Sequence, residues 1–336
     1  MERIARWNQA SRNDLIEETA ARKHMNPAVV EMDFWVCWTL KRIFSNPELA
    51  NKLMFKGGTT LSKIFNLIER FSEDIDLILR MDEITDEDAV AKRTKSGRDK
   101  FRKKVDKGAE QYIRNTLMPE IQTLLGDICT VELVEPDDDV LPKIKVNFPS
   151  AYQHDYLRPD ILLEIGPLAA WTPNEVYRIS PYIAEEFSHR LNEMDCEVRA
   201  ITAERTFWEK ATILHFEANR PEDRPQPFRY SRHYYDLACM AEKGVKTKAL
   251  ADLPLLAAVV DFKEMCYPCS WADFKSAVPG SFKLLPSAYW ERALRRDYRD
   301  MQVMIYGKVP KFDEIIESLA VLESEINDLR QQDSNL

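Results

Sequence analysis

The spacing of apolar positions changes character part-way along the chain. Between residues 28 and 45, Val29, Val30, Met32, Phe34, Trp35, Val36, Trp38, Leu40, Ile43 and Phe44 leave almost no polar side, which predicts a largely buried helix ended before Pro47. Leu53-Met54-Phe55 reads as a short strand running into Gly57-Gly58. From Thr60 to Glu69, Leu61, Ile64, Phe65 and Ile68 recur at helical spacing, and Ile75 to Leu79 predicts the next strand. Asp86 to Leu125 reads as helical and polar at first, then more apolar, with breaks expected at Gly97, Gly108 and Pro119. Three further strands are expected at 128–134, 143–148 and 161–165, with an Asp137-Asp138-Asp139 turn between the first two.

From Thr202 onward the pattern turns helical, with helices expected at 202–216, 231–242, 253–260, 289–306 and 312–329. A loop carrying Pro221, Pro225 and Pro227 separates the first two. The expected fold is therefore α+β. A mixed-sheet domain covers residues 1–200, with a charged helical insertion near 85–125, and an α-helical domain covers 201–336.

Composition narrows the function classes. Hydrophobic residues make up 45% of the chain and charged residues 31%, and no apolar run nears the roughly 20 residues of a membrane span. The Met1–Trp7 stretch lacks the apolar core of a secretory signal, so a cytoplasmic protein with no membrane partner is expected. Six cysteines are too sparse for a disulfide framework. Cys266 and Cys269 have metal-ligand spacing but no second pair follows to complete a zinc site. A net charge of −9 argues against indiscriminate nucleic-acid binding. Against that background, Lys92, Arg93, Lys95, Arg98, Lys100, Arg102, Lys103, Lys104 and Lys107 face only Asp99 and Asp106, a local patch that suits a phosphate backbone.

The chemistry lies in two neighbouring segments. Asp74 and Asp76 are two apart on a predicted strand, so both point to one face while Ile75, Leu77 and Leu79 point to the core. Nucleotidyl transfer needs such a pair, because two divalent ions about 3.5 to 4 Å apart stabilise the attacking oxygen, the phosphorus and the leaving pyrophosphate. Upstream, Gly57-Gly58 lets backbone approach phosphates, with hydroxyls from Thr59, Thr60 and Ser62 and a helix N-terminus beside them. Glu164 is a charge inside the apolar run Asp160 to Ile165, and is expected as a third metal ligand, with Asp160 as its rival. The bland alternative for Glu164 is an ion pair with Arg158 or Arg178.

In Lys56-Gly57-Gly58-Thr59-Thr60-Leu61-Ser62 and Arg70-Phe71-Ser72-Glu73-Asp74-Ile75-Asp76-Leu77 the chain resembles the AbiEii family of nucleotidyltransferase toxins, which includes the MenT enzymes. Glu204-Arg205-Thr206-Phe207-Trp208-Glu209-Lys210-Ala211 and Ser231-Arg232-His233-Tyr234-Tyr235-Asp236-Leu237 extend the resemblance, which spans roughly residues 30 to 245. It implies a nucleotidyltransferase-like N-terminal fold, Asp74 and Asp76 as catalytic metal ligands, and Lys210 and Asp236 as further catalytic residues. Lys56, Gly57, Gly58, Thr59, Ser62 and Ser72 are expected to line the nucleotide site, and Ser72 is placed like a serine that related toxins modify. The implied cofactor is magnesium, with manganese as an alternative, and the co-substrate is a nucleoside triphosphate. The implied partners are an RNA acceptor, tRNA foremost, and a cognate antitoxin; the competing readings are an aminoglycoside-type nucleotidyltransferase acting on a small molecule and a nucleotide-binding protein without turnover, which His233 would favour. Relatives carry Arg-Asp where this chain has Arg232-His233, which leaves Asp236 as the expected catalytic carboxylate.

Overall fold

A computed structural model describes the chain except residues 73, 90, 137–140, 153–157, 188–190, 192, 268 and 334–336. The expected turn at Asp137-Asp138-Asp139 lies outside the described residues. Two compact units are formed. The first takes residues Met1–Phe65, Phe71–Asp86 and Lys103–Ile201, and the second takes Asn66–Arg70, Glu87–Arg102 and Thr202–Leu336.

The first unit is organised by one mixed sheet. Its strands are β1 (Leu53–Lys56), β2 (Asp74–Leu79), β3 (Thr130–Val134), β4 (Lys143–Asn147), β5 (Asp160–Gly166), β6 (Asn174–Ile179) and β7 (Cys196–Ile201). They lie in the order β3-β4-β5-β2-β1-β7-β6. β2 sits centrally, antiparallel to β1 and parallel to β5, and β1 runs parallel to β7. Ile75 and Leu77 are fully buried while Asp74 and Asp76 stay half-buried, the alternation that period-2 geometry requires. The helix Pro27–Ser45 packs on β7. Proline in its first turn and the Asn26 side chain accepting from the Ala28 N–H fix its start. Trp35 and Trp38 on this helix are buried, and Trp35 stacks on Phe148 with ring centroids 5.6 Å apart.

Several expectations are revised. The helix after the glycine turn covers only Gly58–Lys63, not the full stretch to Glu69. Asn66 takes φ of 50°, which breaks the helix, and Ile68 and Arg70 are buried in an irregular strap. The helix in the charged segment begins at Lys95, not Asp86. It runs through Gly97 and Gly108 to Tyr112, passes a π-turn at Ile113–Leu117 and continues as Met118–Leu125, with Pro119 in its first turn. β6 and β7, and the helix Gln9–Lys23, were not expected from the pattern.

The second unit is helical outside its strap. Its principal helices are Ala203–Ala218, Ser231–Glu242, Leu253–Cys266, Ala288–Met301 and Phe312–Asp333. Ser231–Glu242 packs against the first, fourth and fifth of these. The start of Ser231–Glu242 is held from outside, because both carboxylate oxygens of Asp297 accept backbone N–H bonds, from Arg229 at 2.7 Å and Ser231 at 2.8 Å. Cys266 is buried and Cys269 half-buried, both as free thiols.

Candidate active site

In the first unit the glycine turn is pressed against a carboxylate. Gly57 adopts φ 87° and ψ −161°, and a Cβ added there would lie 1.9 Å from Asp76 Oδ2. Only glycine allows both that backbone angle and that approach. Strand register continues the pattern sideways. Lys56 of β1 and Glu164 of β5 are the Cα partners of Asp76, so a row Lys56, Asp76, Glu164 crosses three strands. Asp74 lies on the same face of β2, opposite Leu162.

The hydroxyls of the turn hold backbone. Thr59 Oγ1 donates to the Asp74 carbonyl at 2.7 Å, Thr60 Oγ1 to the Gly57 carbonyl at 2.7 Å, and Ser62 Oγ to the Thr59 carbonyl at 3.2 Å. Thr59 thereby ties the start of the helix to the start of β2. Gly58 opens that helix, and Ser72 is half-buried just ahead of β2.

Cations from neighbouring segments meet the carboxylates. Arg158 Nη2 donates to Asp74 Oδ1 at 3.0 Å. Glu164 is ion-paired with Lys143, which the pairing of Ile144 with Leu163 brings alongside. Arg178, the other candidate partner for Glu164, pairs instead with Asp195 at 2.7 Å. Among the described residues no three His, Cys, Asp or Glu side chains converge as a metal cage. Asp74 and Asp76 nevertheless offer the hard oxygen donors that a magnesium-sized ion takes. Asp160, on the same face of β5 as Glu164, has a buried Oδ1 with no hydrogen-bond partner among the described residues. An orphaned carboxylate oxygen on the face that also carries Asp74, Asp76 and Glu164 is a polar atom that a cation could satisfy.

The second unit builds a different cluster. Asp236, from the helix Ser231–Glu242, receives Lys210 Nζ from the helix Ala203–Ala218 at 2.7 Å on Oδ2. Arg70, from the strap, donates through Nε to Oδ1 at 2.7 Å and through Nη2 to Oδ2 at 2.8 Å. All three are buried, with Asp236 at 0% exposure. Burial would raise the Asp236 carboxyl, but Arg70 and Lys210 outweigh it and hold it well below the usual carboxylate range. Burial, reinforced by Arg70 and Arg232, pulls the Lys210 ammonium below its ordinary value despite Asp236. His233 does not join the ion pairs. Its Nδ1 is buried without a partner among the described residues, its ring stands edge-on to Tyr230 at 5.0 Å, and burial together with Lys210 and Arg232 drives its pKa well down. The imidazole is neutral at pH 7, and Asp236 is the carboxylate that meets Lys210.

The family model for the nucleotidyl transferase AbiEii toxin of Type IV TA systems matches residues 38–318. The chain belongs to this AbiEii family. It is accordingly a nucleotidyltransferase of a toxin–antitoxin family, with a nucleoside triphosphate as substrate and an antitoxin as the partner that the family implies. Among solved structures it is similar to MenT4, a nucleotidyltransferase toxin from Mycobacterium tuberculosis, at 17% identity over 92% of this chain and 99% of that one, with a TM-score of 0.42. A protein from H. pylori described as a nucleotidyltransferase matches at 14% identity over 88% and 93% of the two chains, with a TM-score of 0.41. No curated protein matches the chain. No helix among the described residues is long and apolar enough to cross a membrane.

Two groups in this AbiEii protein escaped sequence reasoning, and a third, Arg158, meets Asp74 instead of the expected Glu164. Lys143 carried no local signal, because strand register brings it to Glu164. Arg70 did carry one: it stands in the Arg70-to-Leu77 motif, and a buried aspartate facing a lysine leaves a second carboxylate oxygen to satisfy.

Proposed function

We propose that the protein is a metal-dependent toxin that transfers a nucleoside monophosphate from a nucleoside triphosphate to RNA, at the 3′ end of tRNA. The observation that carries this reading is the glycine turn packed onto Asp76 within the row Lys56, Asp76, Glu164. Asp74 and Asp76, with Glu164 or Asp160 beside them, would hold magnesium or manganese, which neutralises charge on the triphosphate and on the attacking oxygen. The acceptor hydroxyl oxygen attacks the α-phosphorus, the bond to the bridging pyrophosphate oxygen breaks, and the hydroxyl proton passes to solvent or a nearby carboxylate.

The chain's own residues supply placement. Gly57 and Gly58 admit phosphate close to backbone N–H groups, with Lys56, Thr59, Ser62 and Ser72 lining the same stretch. Lys210 contributes a counter-charge to the triphosphate, and Asp236 orients it. The acceptor reading rests on the exposed cations Lys95, Lys100, Arg102, Lys103, Lys104 and Lys107 along one helix. Transfer to tRNA would stop translation, which accounts for growth inhibition or aborted phage infection in the cytoplasm and for neutralisation by the cognate antitoxin.

The test is incubation with each radiolabelled nucleoside triphosphate, magnesium or a chelator, and total cellular RNA. Label should enter the tRNA band, depend on the divalent ion and be released by 3′-end digestion. Label on a small molecule or a protein, with RNA unlabelled, would overturn the acceptor.

A further inference from the structure

We propose that Arg70 is a positioning residue for nucleotidyl transfer: its guanidinium locks both carboxylate oxygens of Asp236, and Asp236 so held fixes the ammonium of Lys210. The inference rests on the reading above, in which Lys210 and Asp236 serve the reaction.

The geometry is that of a fork on a carboxylate. Two parallel bonds, Nε to Oδ1 at 2.7 Å and Nη2 to Oδ2 at 2.8 Å, remove the rotation that a single bond would leave to Asp236. Lys210 then meets Oδ2 at 2.7 Å, so its ammonium position is inherited from the fork. Relative exposures of 2% for Arg70, 7% for Lys210 and 0% for Asp236 leave water no room to replace a lost partner.

The state of Asp236 separates this cluster from a structural ion pair. The fork alone satisfies both of its oxygens and its charge, yet a second cation, Lys210, is brought to an oxygen already bonded. Folding alone gives no reason to desolvate that further ammonium, since burying charge is costly. A cation held still beside a nucleotide's phosphates does have a use, because preorganised charge needs no rearrangement during reaction.

Arg70 is itself held at its backbone. It forms an isolated antiparallel bridge with Ile305. The neighbouring Glu69 N–H donates to Tyr235 Oη at 3.4 Å, the Tyr306 N–H donates to the Glu69 carbonyl at 2.9 Å, and Lys243 Nζ donates to the Asn66 carbonyl at 3.2 Å. A Cβ on Gly307 would fall 1.8 Å from Glu69 Oε2, so the two segments are in close contact. The strap is thus sewn to the same unit that carries Lys210 and Asp236.

Arg70→Lys and Arg70→Gln test the proposal, with kcat and nucleotide KM measured per folded molecule and the pH profile taken for each. Arg70→Lys keeps the charge but loses the fork. It should lower kcat by about a hundredfold, the scale of an ångström of misplacement, with KM changed by no more than about threefold. In Arg70→Gln, should it fold, the alkaline limb should move to higher pH. The charged groups facing Lys210 are Arg70, Asp236 and Arg232, with neutral His233 beside them, and loss of Arg70 removes one cation that disfavours protonated Lys210. A purely structural role would lower the melting temperature while kcat per folded molecule and the limb stayed put. Wild-type kcat in Arg70→Lys overturns the proposal. Lys210→Ala is the control: if it is fully active, the reading of Lys210 itself fails, whereas an inactive Lys210→Ala beside a fully active Arg70→Lys sinks only the role of Arg70.

Discussion

The two charged clusters of this protein solve opposite problems. On the sheet face, Asp74 is 17% exposed at its side chain, Glu164 36% and Lys143 34%, and these two carboxylates are each matched by a cation on another segment. In the helical unit the side chains of Arg70, Lys210 and Asp236 are 3%, 8% and 0% exposed, and two cations meet one carboxylate. Partly exposed pairs are weaker and more exchangeable than buried ones, so Arg158 and Lys143 can leave their carboxylates at little cost. Buried charge networks hold one arrangement, because any change strands a desolvated charge. The first cluster is suited to exchanging its partners, and the second to staying still.

The contrast is broken most severely by removing the carboxylates of the exchangeable cluster. Asp74→Asn or Asp76→Asn should reduce transfer by at least about a thousandfold while leaving the melting temperature close to wild type, since neutralising clustered carboxylates relieves repulsion. Magnesium should raise the melting temperature of the wild type and not of the double variant, as linkage requires of a ligand that binds only the folded state. Retained turnover would move the metal face elsewhere.

The fixed cluster should respond in both activity and stability. Asp236→Ala removes the carboxylate that two buried cations share and should cost about 3–5 kcal/mol, read as a fall in denaturant midpoint, along with most activity. Its pH dependence has a definite sign. Because the folded carboxyl is depressed, its stabilisation is complete above the unfolded carboxylate value of about 3.9 and is lost as pH falls below it. Asp236→Asn should therefore flatten the acid limb of stability below about pH 4. An unchanged limb would assign the acid sensitivity to other carboxylates.

A smaller effect is expected from the basic helix. Arg98 donates to the Glu264 carbonyl at 3.2 Å, so the exposed Arg102, Lys103 and Lys104 are the better probes. Replacing these three with glutamine should weaken RNA binding and flatten the salt slope by about 0.7 to 0.9 for every phosphate left without its cation. An identical slope would remove the helix from the acceptor site.

The smallest change belongs to His233. Its pKa is depressed, so below the unfolded value of about 6.5 the unfolded chain binds the extra proton and stability falls with pH. His233→Gln should leave transfer near wild type and remove that softening between about pH 6.5 and 5. Loss of turnover at pH 7.5 would instead give the imidazole a part in the chemistry.

Much of the frame around the candidate site was legible because it is local. Strand, glycine turn, short helix and Asp-x-Asp strand follow one another, and Gly57 shows its purpose once Asp76 is found against it. The strap at 66–70 was misread because Ile64, Phe65 and Ile68 are spaced as in a helix, and periodicity reports burial without excluding an irregular chain. Asn66 at positive φ is the decisive break. β6 carries no strong signal, since Glu175 and Val176 are both exposed at the sheet edge. The partners of Glu164 and Asp236 depend on register and on chain segments far apart in sequence, which spacing does not encode.

The interleaving of the two units has a consequence for how such a protein can be inherited. Residues 66–70 and 87–102 come from the first half of the chain yet belong with the helices after Thr202. No single cut in the gene separates the units. A fragment beginning at Thr202 would carry Lys210 and Asp236 but not Arg70, and one ending at Ile201 would keep a strap with nothing to be sewn to. Neither contiguous half carries the whole Arg70, Lys210 and Asp236 cluster, so neither is a cassette that recombination could move intact.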